Sequence, residues 1–330
     1  MKKKPLIIAH RGACGYLPEH TLPAKAVAHT MGADFIEQDV VLTKDDRVIV
    51  VHDRFLETVS DVQRRYPKRK RIDGRYYAID FTLKEIKKLR LHERIDRKTG
   101  KPVYPGRFPI EAITPFEIST LEEEIEMIQG LNRSTGREAG IYVELKGPAF
   151  HRREGKRFEE IVLDILQQYG YTARDANCYL QCFEPESLNY MRTSLKCDLK
   201  MVQLIGDNSW DDTPGVDYHT MLTPEGLDAV ARYADAIGPW TFPVVADLGL
   251  GNEPRVTDLV DSAHRRNLDV HVYTFRADSL PSYVQSFNEL LDLFFRKVGV
   301  DGIFTDFPDI VHDYLRESGL LPQTIIDVGE

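Results

Sequence analysis

The stretch Phe35-Ile-Glu-Gln-Asp-Val-Val-Leu-Thr-Lys-Asp-Asp-Arg-Val-Ile-Val-Val-His-Asp53 decides how the rest of the chain is read. Two apolar, β-branched runs, Phe35 to Leu42 and Val48 to Val51, flank the polar turn Lys44-Asp-Asp-Arg47, which predicts two strands joined as a hairpin. Alternate residues of a strand share a face, so Glu37 and Asp39 fall side by side while Ile36, Gln38 and Val40 point the other way. Two carboxylates in an otherwise apolar strand are expensive to bury, because each loses its hydration. A divalent cation with oxygen ligands would offset that loss, and His52, where the return strand ends, would set a titratable group beside it. The alternative is an edge strand whose acidic side is simply wet.

The 330 residues exceed one ordinary domain about twofold, yet they suit a single α/β barrel that carries an insertion. With 42% hydrophobic and 29% charged residues and no apolar run that spans a bilayer, a large globular core is expected and a stable membrane anchor is not. A net charge of −9 argues against a broad nucleic-acid surface but leaves room for a locally basic pocket. Cys14, Cys178, Cys182 and Cys197 form neither a CxxC pair nor a zinc pattern, so they are read as free thiols. Met1-Lys-Lys-Lys-Pro5 looks like the start of a leader, but the apolar run Leu6 to Ala9 is too short for the leader's core. The chain as written is therefore expected to be cytoplasmic, or periplasmic or secreted if a leader was removed.

Outward from the opening stretch, Leu6-Ile-Ile-Ala-His10 reads as a buried strand ending in polar His10-Arg11-Gly12. Pro18-Glu-His-Thr21 opens a helix through about Met31, closed by Gly32. Between Arg54 and Ile118 the β-α rhythm breaks into a charged, aromatic region that is read as an insertion covering the barrel mouth, leaving 1–53 and 119–330 as the barrel. Its basic run, Arg64 to Arg71, reads as a solvated loop or as an attractor of phosphate and anionic headgroups. Helices are expected at 83–89, 121–131, 155–169, 186–195, 224–234, 255–266 and 287–297, with a last one from Asp309. Strands at 6–10, 35–41, 141–146, 178–183, 200–205, 236–238, 268–275 and 302–306 make eight β-α alternations. That pattern predicts a TIM (β/α)8 barrel with its insertion after strand two.

In such a barrel the strand C-termini meet at one mouth. This gathers His10, Arg11, Glu37, Asp39, His52, Glu144, Lys146, Gln181, Tyr273 and Asp306. Three carboxylates suit one hard cation, calcium or magnesium, better than zinc. Arg11 and Lys146 beside a cation make sense if an anion such as phosphate bridges them, and His10 and His52 could then act as acid and base in phosphoryl transfer.

The motifs His10-Arg-Gly12, Pro18-Glu-His-Thr21, Glu37-Gln-Asp39, Val51-His-Asp53 and Glu144-Leu-Lys146 resemble the signature of glycerophosphodiester phosphodiesterases. The likeness extends to Asp73-Gly-Arg-Tyr-Tyr-Ala-Ile-Asp80, Tyr104-Pro-Gly-Arg-Phe-Pro109, Tyr179-Leu-Gln-Cys-Phe183 and Phe304-Thr-Asp-Phe-Pro308, as in the insertion-bearing bacterial, periplasmic-type branch. The resemblance implies hydrolysis of small glycerophosphodiesters, such as glycerophosphocholine and glycerophosphoethanolamine, to sn-glycerol 3-phosphate and an alcohol. It implies one divalent cation on Glu37, Asp39 and Glu144, calcium favoured over magnesium, with His10 and His52 sharing acid-base work. A glycerol hydroxyl would attack phosphorus through a cyclic intermediate. Arg11 and Lys146 would grip the phosphate, with Gln181, Phe183 and Tyr273 as further substrate contacts. His20 stands where many members have Asn, and Tyr273-Thr-Phe-Arg276 where many have Trp-Thr-x-Asn. Two other readings use the same residues: a lysophospholipase-D-like hydrolase, and a catalytically silent phosphodiester-binding module.

Overall fold

Short apolar runs become the walls of a closed barrel because each is buried on both faces, by the barrel interior on one side and by helices on the other. The computed structural model describes residues 4–210, 213, 215–246 and 254–321. The first three residues of the leader-like start lie outside the described residues. The strands are β1 (Leu6–Ala9), β2 (Phe35–Leu42), β3 (Val48–Val50), β4 (Gly140–Leu145), β5 (Cys178–Cys182), β6 (Lys200–Ile205), β7 (Ala236–Pro239), β8 (Val245–Ala246), β9 (Arg255–Val256), β10 (Asp269–Phe275) and β11 (Gly302–Thr305). Hydrogen bonding runs β1-β11-β10-β7-β6-β5-β4-β2 and returns from β2 to β1, so eight parallel strands close the barrel. It is the (β/α)8 architecture that the β-α rhythm predicts.

β3 is the hairpin partner, antiparallel to the end of β2 from Val40 opposite Val50 to Leu42 opposite Val48. It lies above the barrel rim, since β2 stays paired with β4 only as far as Val40 opposite Leu145. β2 is buried along its whole length between β1 and β4, which rules out a wet edge strand. Ile36 and Val40 join the apolar layer with Leu121, Ile125 and Ile128 of the helix Leu121–Thr135, while Phe35 packs inside the barrel.

Three expected helices differ at their starts. The first begins at Leu22, with the Thr21 side chain capping Ala24 N at 3.3 Å, and His20 lies before it with φ +59°. Pro18 to His20 therefore remain a loop, which frees the His20 ring to reach β2. The helix expected over 155–169 runs Phe158–Gln168. The helix expected over 255–266 is confined to Leu259–His264, because Arg255 and Val256 form β9 against β8.

Residues 54–118 form short helices and isolated bridges around their own apolar cluster. Leu56, Val59, Phe81, Ile86, Leu89, Phe116 and Ile118 pack on Val41, Ile49 and Val51 of the hairpin. The basic run here is largely neutralised: Arg64 and Arg65 share Asp61, Arg69 meets Glu85, and Arg71 bridges Asp80 and Glu154.

Candidate active site

The period of two along β2 and β4 sets Glu37, Asp39 and Glu144 on inward-facing rungs, with Asp39 opposite Glu144 in register. One carboxylate oxygen from each lies within 4.8 Å of the others, and all three side chains are buried. Burial first, and then Asp39, push the Glu37 carboxyl up to about 8, and burial pushes Glu144 well above its ordinary range. Burial opposes ionisation of Asp39 too, but Lys146, His20 and His52 hold its carboxyl well down. Asp39 Oδ1 is buried and meets no N–H donor among the described residues, so a proton on Glu144 or a cation would have to satisfy it. An all-oxygen set with an orphaned oxygen and mutually repelling carboxylates fits a hard divalent ion. A second cluster, His10, Cys14 and Asp306, is no rival: both Asp306 oxygens are taken by His10, Arg107 and Arg276.

His10 and His52 flank the carboxylates. His10 Nδ1 meets Asp306 Oδ1 at 2.6 Å, and its Nε2 lies 4.0 Å from Glu37 Oε2. His52 Nδ1 meets Asp53 Oδ1 at 2.7 Å, and its Nε2 faces Lys146 Nζ at 3.3 Å. In both rings the Nδ1 proton is donated to a carboxylate, leaving an Nε2 lone pair toward the centre. Burial and Arg11 lower both imidazoles to about 4, so both rest neutral at pH 7.

Arg11 donates its backbone N–H to Glu37 Oε2 at 2.8 Å and its guanidinium to Glu19 at 2.9 Å. A positive φ of 57° at Arg11 aims that N–H, and Gly12 follows with φ 89°, where an added Cβ would meet the Ala24 backbone at 2.9 Å. Lys146 Nζ donates to Glu144 Oε1 at 2.7 Å and sits 5.6 Å from the centre of the Phe183 ring. Gln181 Nε2 donates to Glu37 Oε1 at 2.8 Å, so the amide orients a carboxylate, and its own Oε1 meets no partner among the described residues. Tyr273 uses its hydroxyl on Ile205 O at 2.9 Å and offers its ring face, 6.0 Å from Phe183.

His10, Arg11, Glu37, His52, Glu144, Lys146, Gln181, Phe183 and Tyr273 line one cavity of about 440 Å³, with Asp39 just behind its wall. Leu204, Trp210, Tyr218 and Trp240 line it as well, residues that no sequence motif singled out. Sequence reasoning also missed what holds the site residues. Asp53 is adjacent to His52 and was readable as its partner, but the His20 to Asp39 contact at 2.7 Å and the burial of Lys25 beneath both have no local signal.

The chain matches the glycerophosphoryl diester phosphodiesterase family over residues 10–310. It is similar to a glycerophosphodiester phosphodiesterase of Haemophilus influenzae, 43% identical over 332 residues that cover 96% of this chain and 91% of the relative. An enzyme of the same name from Treponema pallidum is 36% identical and covers 92% and 90%. In fold it resembles an Oleispira antarctica phosphodiesterase solved with the product sn-glycerol-3-phosphate, with TM-score 0.62, 18% identity, and coverage of 94% and 97%. A glycerophosphodiester phosphodiesterase from Agrobacterium tumefaciens gives TM-score 0.59 at 19% identity, covering 95% and 100%. With a family match across the barrel and curated relatives aligned nearly end to end, this chain belongs to the glycerophosphoryl diester phosphodiesterase family and is an enzyme of that class.

Proposed function

We propose that the chain hydrolyses small soluble glycerophosphodiesters, glycerophosphocholine and glycerophosphoethanolamine among them, to sn-glycerol 3-phosphate and the free alcohol. The observation that carries this reading is the buried trio Glu37, Asp39 and Glu144 with a neutral imidazole on either side, each aiming an Nε2 lone pair inward. Glu37, Asp39 and Glu144 would hold one divalent cation, calcium in preference to magnesium, which when bound neutralises charge on the phosphate oxygens. Arg11 and Lys146 grip the phosphate as guanidinium and ammonium donors. One imidazole takes the proton of the attacking glycerol hydroxyl, and the other gives a proton to the departing alkoxide. Water, deprotonated by that second imidazole, then opens the cyclic phosphate to sn-glycerol 3-phosphate as the first imidazolium returns its proton to the glycerol oxygen. Both rest neutral, and an arriving phosphate anion favours the imidazolium form, so the substrate itself prepares the acid. Residues 54–118 wall one side of the mouth through Arg54 and Phe55 at their root.

Phe183, Trp210, Tyr218, Trp240 and Tyr273 suit the alcohol end, since aromatic faces receive ammonium groups and hydrocarbon alike. That apolar wall also favours a second reading, in which the substrate is a lysophospholipid and the enzyme releases its headgroup alcohol. The volume of about 440 Å³ is at the small end for ligand sites and suits the soluble diester better. Release of glycerol 3-phosphate from glycerophosphocholine is the test, measured after chelation and again after adding back calcium or magnesium. Loss and recovery are expected, and undiminished turnover of the metal-stripped enzyme would defeat the cation role. Faster turnover of lysophosphatidylcholine than of glycerophosphocholine would select the second reading.

A further inference from the structure

Each inward-facing imidazole is backed by a carboxylate, and each carboxylate is gripped from behind by an arginine of the insertion. On one side Asp306 gives Oδ1 to His10 and Oδ2 to Arg107 Nη2, at 2.6 Å in both cases, across a sequence separation of 199 residues. On the other, Asp53 gives Oδ1 to His52 at 2.7 Å and Oδ2 to Arg94 Nη1 at 2.6 Å. We infer that Arg94 and Arg107 are positioning residues for the reaction, fixing the tautomer and aim of the two imidazoles through Asp53 and Asp306.

Both arginines are themselves held rigidly. Arg107 forks onto Asp278 at 2.8 and 3.1 Å, reaches Cys14 O at 3.3 Å and lies 3.7 Å from the centre of the Tyr104 ring, with only 3% of its side chain exposed. Arg94 forks onto Glu19 at 2.6 and 2.9 Å, and Glu19 in turn takes the Arg11 guanidinium at 2.9 Å. A planar fork of this kind satisfies two acceptors at fixed angles, which an ammonium does not reproduce. Burial opposes ionisation of Asp53 and Asp306, yet Arg94 and His52 hold the first carboxyl, and His10, Arg276 and Arg107 the second, well below the ordinary range. An ionised carboxylate accepting from Nδ1 keeps the proton there and the lone pair on Nε2. The two sides differ in two respects. Asp306 has a second cation, Arg276 Nε at 2.9 Å, whereas Arg94 also supports the phosphate contact Arg11.

The inference rests on the acid-base roles proposed for His10 and His52, and the controls separate the two. Arg107→Ala is expected to lower kcat about 10- to 100-fold with KM within about threefold, the scale of removing an outer partner of a site residue. Arg94→Ala should lower kcat similarly and also raise KM, because Glu19 and Arg11 loosen with it. Arg107→Lys keeps the charge without the fork and should recover only part of the loss. It also serves as the readout if the alanine variant fails to fold. In the His10→Ala background, Arg107→Ala should add almost nothing, since its effect passes through the ring that is gone. A full multiplicative loss in that background, or wild-type kcat in the folded Arg107→Lys and Arg107→Ala enzymes, would overturn the inference. Near-normal activity of His10→Ala alone would instead sink the acid-base reading.

Discussion

The interior of the barrel has a floor and a mouth made from the same strands two residues apart, and the two levels obey opposite rules. On the floor sit Phe35, Tyr142, Tyr179 and Phe304. One or two rungs higher sit Glu37 and Asp39, Glu144, and Gln181. The floor is chosen for contact: Tyr142 stacks on Tyr179 at 4.9 Å, and Phe35 meets Tyr179 edge-on at 5.0 Å. Gly140 admits the Phe35 ring, which an added Cβ would meet at 2.3 Å. The mouth is chosen for charge, at the expense of stability. A dry aromatic layer directly beneath the carboxylates denies them solvent on that side, which is why their repulsion persists until a cation or protons relieve it.

Substitutions that separate activity from stability test this contrast. The largest effect is expected at the mouth: Glu37→Gln or Glu144→Gln should reduce turnover by about 10³-fold or more while thermal unfolding of the metal-free protein stays level or shifts upward. A parallel loss of melting temperature would show that the trio holds the barrel together. The floor should respond the other way. Tyr142→Ala removes a fully buried ring and its hydrogen-bonded contact to His271 Nδ1 at 2.8 Å. Denaturant unfolding should report a loss of about 3–5 kcal/mol, with the folded fraction still turning over substrate. Activity lost outright in a protein of unchanged stability would erase the distinction between the two levels.

The smallest effect concerns pH at the back of the mouth. Glu93, 3% exposed and with one carboxylate oxygen unpaired among the described residues, is pushed up to about 7, chiefly by burial and then by Glu19. A folded pKa above the unfolded value of about 4.3 means that the native state binds the extra proton between them, so stability falls as pH rises from about 4.3 to 7. Glu93→Gln should flatten that decline by roughly 1–3 kcal/mol, read as melting temperature against pH. An identical slope in the variant would assign the pH dependence to the carboxylate trio instead.

The β-α rhythm was legible because strand and helix periods are local, and the strand-end motifs follow from it once the barrel closes. The helix expected over 255–266 failed at its start because Arg255 and Val256 pair with β8, a contact that local propensity does not encode. Similarly, Pro18 to His20 looked like a helix start, but the His20 ring is drawn to Asp39 and the helix waits for Thr21. The arginines of the insertion were harder still. Among a charged, irregular run of residues, nothing marks Arg94 apart from Arg64 or Arg71, and Arg107 stands in the family-like stretch Tyr104 to Pro109 without any local sign of what it would contact.

By itself, the sequence determined which side chains could share a rung and which strand ends would carry charge, since both follow from a backbone period of two and a count of eight. Tertiary structure alone decided who neutralises whom. The partners of His10 and Asp39 are set by barrel closure and by a long insertion folding back, and such pairings depend on distances through space that have no counterpart along the chain.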